Sequence, residues 1–191
     1  MKKIVLASGS PRRKILLQQI GLKFAVDNRV KEDGVPSATD PHTSAREISM
    51  KKAESVAEFY PDAVIIAADT FGVIDGQIIG KPNSADDAQN MLRKISGRMH
   101  LVITGFTVLD TKIKKSVSRS VETRVYIKQL SDSEILGYVK SGEPLDKAGA
   151  YAIQGLGAVL VERIEGDYFN VMGLPLNALY DTLKEFGVNV L

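Results

Sequence analysis

Short apolar runs alternate along this chain with stretches whose apolar positions recur every three or four residues, a pattern that predicts strands alternating with helices. Lys3–Ala7 reads as a strand. Residues 11–21 follow as an amphipathic helix with Ile15, Leu16 and Ile20 near one face and Gly21 at its end. Phe24–Asp27 is a short second strand, and Arg29–Pro41, with Gly34, Pro36 and Pro41 among polar residues, is an exposed loop able to move over a binding site. A helix over about 42–59 turns Ala45, Ile48, Ala53, Val56 and Ala57 inward, with Lys52 inside that stripe and Lys51 pointing away. Ala63–Ala68 is nearly continuous in apolar residues, as in a central strand covered on both faces, and is expected to stop at Asp69-Thr70.

Val73–Ile79 reads as a hairpin around Asp75-Gly76 that delivers Gly80-Lys81-Pro82. A helix over about 84–95 carries Ala85, Ala88, Met91, Leu92 and Ile95 on its apolar side, and two long strands follow, about 99–110 and 115–127. Ser131 with Glu134 forms a capping-box pattern that starts a helix to Ser141. After a loop over 142–155 come a strand, Val159–Ile164, a turn, 166–170, and a closing helix, Leu174–Phe186. No internal repeat interrupts this order, and the whole predicts a mixed α/β protein whose hairpins supply an antiparallel portion.

At 191 residues the chain suffices for one large domain or two modest lobes. A net charge of +2 gives no general field for nucleic acid. The absence of cysteine excludes a disulfide framework and a thiolate nucleophile, and His42 and His100 lie too far apart in sequence for a zinc motif. The first apolar run is too short for a signal peptide and none approaches a membrane span, so a cytoplasmic protein without a membrane partner is expected.

Candidate chemistry gathers at strand ends. The first strand runs through Ser8-Gly9-Ser10 into Pro11-Arg12-Arg13, where an N-cap residue, a proline at the first helical position and two guanidinium groups suit a polyphosphate. The plain alternative is a capped helix with solvated arginines. Lys52, on an inward face, either snorkels to water or meets an anion. Asp69 stands at the carboxyl end of a central strand, where ligands gather in open α/β sheets, and either serves catalysis or caps a turn. Lys81 is placed by a rigid turn, but Gly76 to Gly80-Lys81 lacks the spacing and the following hydroxyl residue of a Walker loop.

Ser8-Gly9-Ser10-Pro11-Arg12-Arg13, Lys52-Ala53, Ala68-Asp69-Thr70, Gly80-Lys81-Pro82, Ser96-Gly97-Arg98, Thr104-Gly105, the segment Glu143 to Tyr151 and Asn170 to Pro175 together resemble the Maf family, in order and over nearly the whole chain. The resemblance implies a single domain over 1–191 with a two-lobed mixed-sheet α/β fold, similar to the inosine triphosphate pyrophosphatases and with an active cleft between its lobes. It implies hydrolysis of a nucleoside triphosphate to monophosphate and pyrophosphate with a divalent metal, Mg or Mn. The paired arginines and the Asp146 to Tyr151 segment followed by Ile153-Gln154-Gly155 look like the branch acting on dTTP and UTP. A branch acting on 7-methyl-GTP, or a non-hydrolytic nucleotide-binding regulator of cell division, is the alternative. On this reading Ser8, Arg12, Arg13, Lys52 and Lys81 surround the triphosphate, and Asp69 is base or metal ligand. Thr70 and Gln154 offer hydrogen bonds to the pyrimidine, the plain alternative for Gln154 being a surface residue in a glycine-bounded turn. Glu32 and Asp33 are further metal candidates, in a loop where this sequence departs from the family pattern. Asp146-Lys147 is read as part of the cleft wall, or else as a surface pair, and a homodimer is a further expectation from the family.

Overall fold

The computed structural model describes residues 2–30 and 40–191. Seven strands and six helices follow one another as β1 (Lys3–Ala7), α1 (Pro11–Gln19), β2 (Ala25–Asp27), α2 (Pro41–Ala57), β3 (Ala63–Ile74), β4 (Gln77–Ile79), α3 (Ala85–Ile95), β5 (Met99–Asp110), β6 (Lys115–Ile127), α4 (Asp132–Lys140), β7 (Val161–Glu165), α5 (Tyr168–Met172) and α6 (Leu176–Lys184) among the described residues. Strands are hydrogen-bonded in the order β2-β1-β3-β5-β6-β7, with β4 on β3. Pairing is parallel for β1 with β2 and with β3, antiparallel for β3 with β4 and for β6 with β7, so the sheet is mixed.

Two compact units divide the chain: unit 1 is Met1–Asp69, Thr104–Val121 and Gly173–Leu191, unit 2 is Thr70–Ile103 and Glu122–Met172. In unit 1 the chain leaves β1 through α1 to reach β2 on one side, then crosses through α2 to β3 on the other. The carboxyl end of β1 is therefore a point where strand order reverses, the place where parallel sheets leave a crevice for a ligand. α2 covers this sheet closely because the facing positions are small: Ala53 and Val56 pack on Val5, Ala7, Ala63, Ile65 and Ala67. Gly105 on β5 belongs to the same close approach, since a Cβ there would overlap the backbone of Ala45 on α2.

Unit 2 has its own core, in which Ile74, Ile79, Leu92, Ile95, Val125, Ile127, Ile135 and Tyr151 are buried together. Its β3–β4 hairpin turns at Asp75-Gly76, with φ of 52° and 73° at those residues and Ile74 opposite Gln77, the two-residue left-handed turn that the Asp-Gly pair predicts.

Several expectations shift. β3 runs through Asp69-Thr70 to Ile74 instead of stopping, because Phe71, Val73 and Ile74 are good strand formers and β4 pairs with that stretch. On α1 the buried face is Arg13, Leu16 and Leu17, while Ile15 is 55% exposed. The loop after α4 is three 3-10 turns, Glu143–Asp146, Ala148–Ala150 and Gly155–Leu160; the last takes Val159 and Leu160 out of the expected strand. Tyr168–Met172 is a short helix where a turn is expected. Most of the loop 29–41, with Glu32 and Asp33, lies outside the described residues.

Candidate active site

The site in unit 1 forms at the carboxyl ends of β1 and β3. Their register pairs Ala7 with Ala67, which brings Ser8-Gly9 level with Ala68-Asp69. Asp69 follows Ala63, Ile65 and Ala67 at two-residue steps and shares the face they present to α2. Lys52 precedes Ala53 on the helix stripe that meets that face. The two side chains consequently join in an ion pair, Lys52 Nζ to Asp69 Oδ1 at 2.6 Å, with side chains only 13% and 22% exposed. Of the two fates open to an inward lysine, the one realised is the anion. Asp69 Oδ2 accepts no hydrogen bond from the described residues.

Arg13 is buried, at 9% exposure, despite its charge. Its Nε donates to the Gly173 carbonyl at 2.8 Å and one Nη to Ser8 Oγ at 3.2 Å. Ser8 Oγ also accepts from the Ser10 amide at 3.2 Å, so both its lone pairs are engaged and the hydroxyl proton remains to be donated. Ser10 occupies the N-cap position of α1, but its side chain accepts no capping bond; the turn is tied by Ser8 instead. Arg12 is half-buried on the same helix. The Gly173 carbonyl is a contributor that sequence reasoning passed over: the Asn170 to Pro175 motif reads as structural, yet one of its carbonyls orients the buried guanidinium.

Unit 2 carries the remaining candidates. Thr70 follows Asp69 along β3 and is half-buried; Lys81 is exposed after β4, and Gln154 is exposed between the second and third 3-10 turns. Gly80 O accepts from the Gly149 amide at 2.9 Å, which ties the segment before Lys81 to the 143–160 region. Asp146 and Lys147 ion-pair with each other, Lys147 being the more covered partner. His100 and Tyr151 form a pair that no motif announces. The imidazole is 2% exposed, its Nε2 lies 2.8 Å from the Tyr151 hydroxyl, and burial pushes it down to about 4.

Among the described residues no three His, Asp or Glu side chains converge on a possible cation. A magnesium-like ion is commonly held by one or two carboxylates together with phosphate oxygens, and a partly covered carboxylate such as Asp69, held by Lys52 at one oxygen, fits that use.

A parallel strand edge at a reversal point, with a serine-arginine turn on one strand end and a lysine-paired aspartate on the next, is the place where α/β proteins of this class take a ligand. Comparison with known proteins is specific: the family described as Maf-like protein matches residues 3–186, and the chain belongs to the Maf family. It is 50% identical to the dTTP/UTP pyrophosphatase of Thermoanaerobacter sp. strain X514, over 99% of this chain and 100% of that protein. Proteins of the same name from Dictyoglomus turgidum and Methanosarcina mazei are each 47% identical, over 100% of this chain and 99% and 97% of theirs. Among solved structures the Ham1 proteins of Staphylococcus aureus and Coxiella burnetii share the fold, with TM-scores of 0.56 and 0.55 at 16% identity, over 97% of this chain and all of theirs.

Proposed function

We propose that this protein hydrolyses dTTP and UTP to the monophosphate and pyrophosphate. The observation that carries the reading is the Lys52–Asp69 pair beside the Ser8–Arg13 turn; the names of full-length relatives at 47–50% identity support the choice of substrate. Water attacks the α-phosphorus, the bond from that phosphorus to the bridging oxygen of the β-phosphoryl group breaks, and pyrophosphate departs with the bond's electrons. Asp69 Oδ2 orients the water and accepts its proton, while Lys52 holds Oδ1 so that the carboxylate keeps one direction. Arg13, fixed by Gly173, and Arg12 neutralise phosphate charge, and the Ser8 hydroxyl donates a hydrogen bond. Lys81 adds a further positive charge to the substrate's phosphates. Thr70 and Gln154 read the pyrimidine edge. If Asp69 Oδ2 is instead a ligand, it would hold a divalent cation, Mg²⁺ or Mn²⁺, together with phosphate oxygens, and that ion would supply neutralisation of the developing charge.

Product analysis tests this directly. UTP should give UMP and pyrophosphate, and Asp69→Asn should lower turnover by about 10²-fold or more while nucleotide binding persists. Orthophosphate as product, or near wild-type turnover in the variant, overturns the reading.

A further inference from the structure

Gln154 is exposed and its side chain makes no hydrogen bond with the described residues, yet the backbone on both sides of it is tightly held. Glu143, at the start of the first 3-10 turn, reaches across thirteen residues of chain: Oε2 accepts from the Leu156 amide at 3.0 Å and Oε1 from the Gly157 amide at 2.9 Å. Oε1 also accepts from the Tyr138 hydroxyl at 2.9 Å, and that hydroxyl in turn accepts from the Ala152 amide at 3.2 Å. One carboxylate and one phenol thus grip the chain at 152 before Gln154 and at 156–157 after it. The fit leaves no room for side chains on the glycines involved. Gly155 sits at φ +67°, and a Cβ there would lie 2.6 Å from Glu143 Oε2; a Cβ on Gly157 would overlap the Ala152 carbonyl and approach the Tyr138 oxygen to 2.5 Å.

We propose that Glu143, assisted by Tyr138, is a positioning residue for base selectivity: it closes the turn that carries Gln154 and fixes the direction in which that amide is presented. The proposal rests on the reading of Gln154 as a contact to the base. A side-chain amide that discriminates uracil from cytosine must offer its carbonyl and its N–H₂ in a set order and direction, and a backbone free to swing would offer both edges to either base. Pinned amides on either side remove that freedom before substrate arrives, so ordering costs little at binding. Burial works to raise the Glu143 carboxyl, but the Gly157 and Leu156 amides, the Tyr138 hydroxyl and the nearby Lys147 charge outweigh it and hold the group below the usual carboxylate range. The grip is therefore in its charged, stronger form at neutral pH.

The experiment compares kcat and KM for UTP and CTP in wild type, Glu143→Ala, Glu143→Gln, Tyr138→Phe and Gln154→Ala, alongside amide hydrogen exchange of residues 152–157. Glu143→Ala should speed exchange at Leu156 and Gly157, raise KM for UTP by about tenfold with little change in kcat, and lower the UTP:CTP preference by a similar factor. Glu143→Gln, which keeps one acceptor oxygen, should fall between. Tyr138→Phe should show a smaller loss of the same kind and carries the test if the alanine variant does not fold. Faster exchange with unchanged KM and preference would overturn the positioning role while Gln154→Ala still lowered preference. Unchanged preference in Gln154→Ala would instead remove the base contact itself, and the positioning role with it.

Discussion

The two units hold their candidate groups by different physical means. Unit 1 sets Ser8, Lys52 and Asp69 on or beside long regular elements, so their relation follows from strand register and helix stripe. Unit 2 presents Gln154 between 3-10 turns that lack a ladder of their own, and polar side chains take its place: half-buried Glu143 with Tyr138 on one side, the buried His100–Tyr151 pair on the other. A site on regular elements depends on backbone approach, and one on irregular turns depends on the state of polar atoms. Each should therefore fail in its own way.

The largest effect belongs to the backbone approach of unit 1. Gly105→Ala sets a methyl group against the Ala45 carbonyl, a main-chain neighbour that cannot rotate aside, and should destabilise the protein by about 3 kcal/mol or more in urea unfolding. A loss well below 1 kcal/mol would mean that α2 and β5 separate easily and that Lys52 and Asp69 are held by something else.

The polar scaffold of unit 2 should respond to pH instead. Because the His100 imidazole is pushed down to about 4 from 6.5, below pH 6.5 the unfolded chain takes up a proton that the folded chain refuses. Stability is full above that pH and falls by about 3 kcal/mol as pH drops toward 4. Burial opposes the shift at Asp27, Asp110 and Glu143, but their hydrogen bonds to cations and amides lower all three; the stability they add is lost only as pH falls below their unfolded values near 4, which leaves the window above to His100. His100→Gln, which offers Tyr151 a polar partner with no proton to gain, should flatten the change in urea midpoint between pH 7 and 4.5. An unaltered slope would contradict the assignment.

The same contrast decides what could be read from the chain in advance. The helical stripe marks Lys52 as inward-facing and the apolar run places Asp69 at a central strand's end, but a nearly continuous run picks no face, so that these two side chains pair with each other is seen only in the structure. The Asp75-Gly76 hairpin, both long strands and the capping box at Ser131 are likewise local signals that the structure realises. Glu143 has no such signal: besides the Tyr138 hydroxyl, its partners are backbone amides thirteen and fourteen residues on, and amides are the same in every sequence. Gly173 escapes for the same reason, since a carbonyl that holds Arg13 across 160 residues leaves no mark on residue type. The 3-10 turns within 143–160 lack both periods, which is why they read as loop and strand.

The UTP:CTP ratio of kcat/KM, measured side by side in Lys52→Ala and Gln154→Ala, tests the roles proposed for the Lys52–Asp69 pair and for Gln154 most directly. Lys52→Ala should lower both nucleotides together, by about 10²-fold, and leave the ratio at its wild-type value; Gln154→Ala should collapse the ratio with a smaller loss of rate. A changed ratio in the lysine variant together with an unchanged one in the glutamine variant would contradict the account.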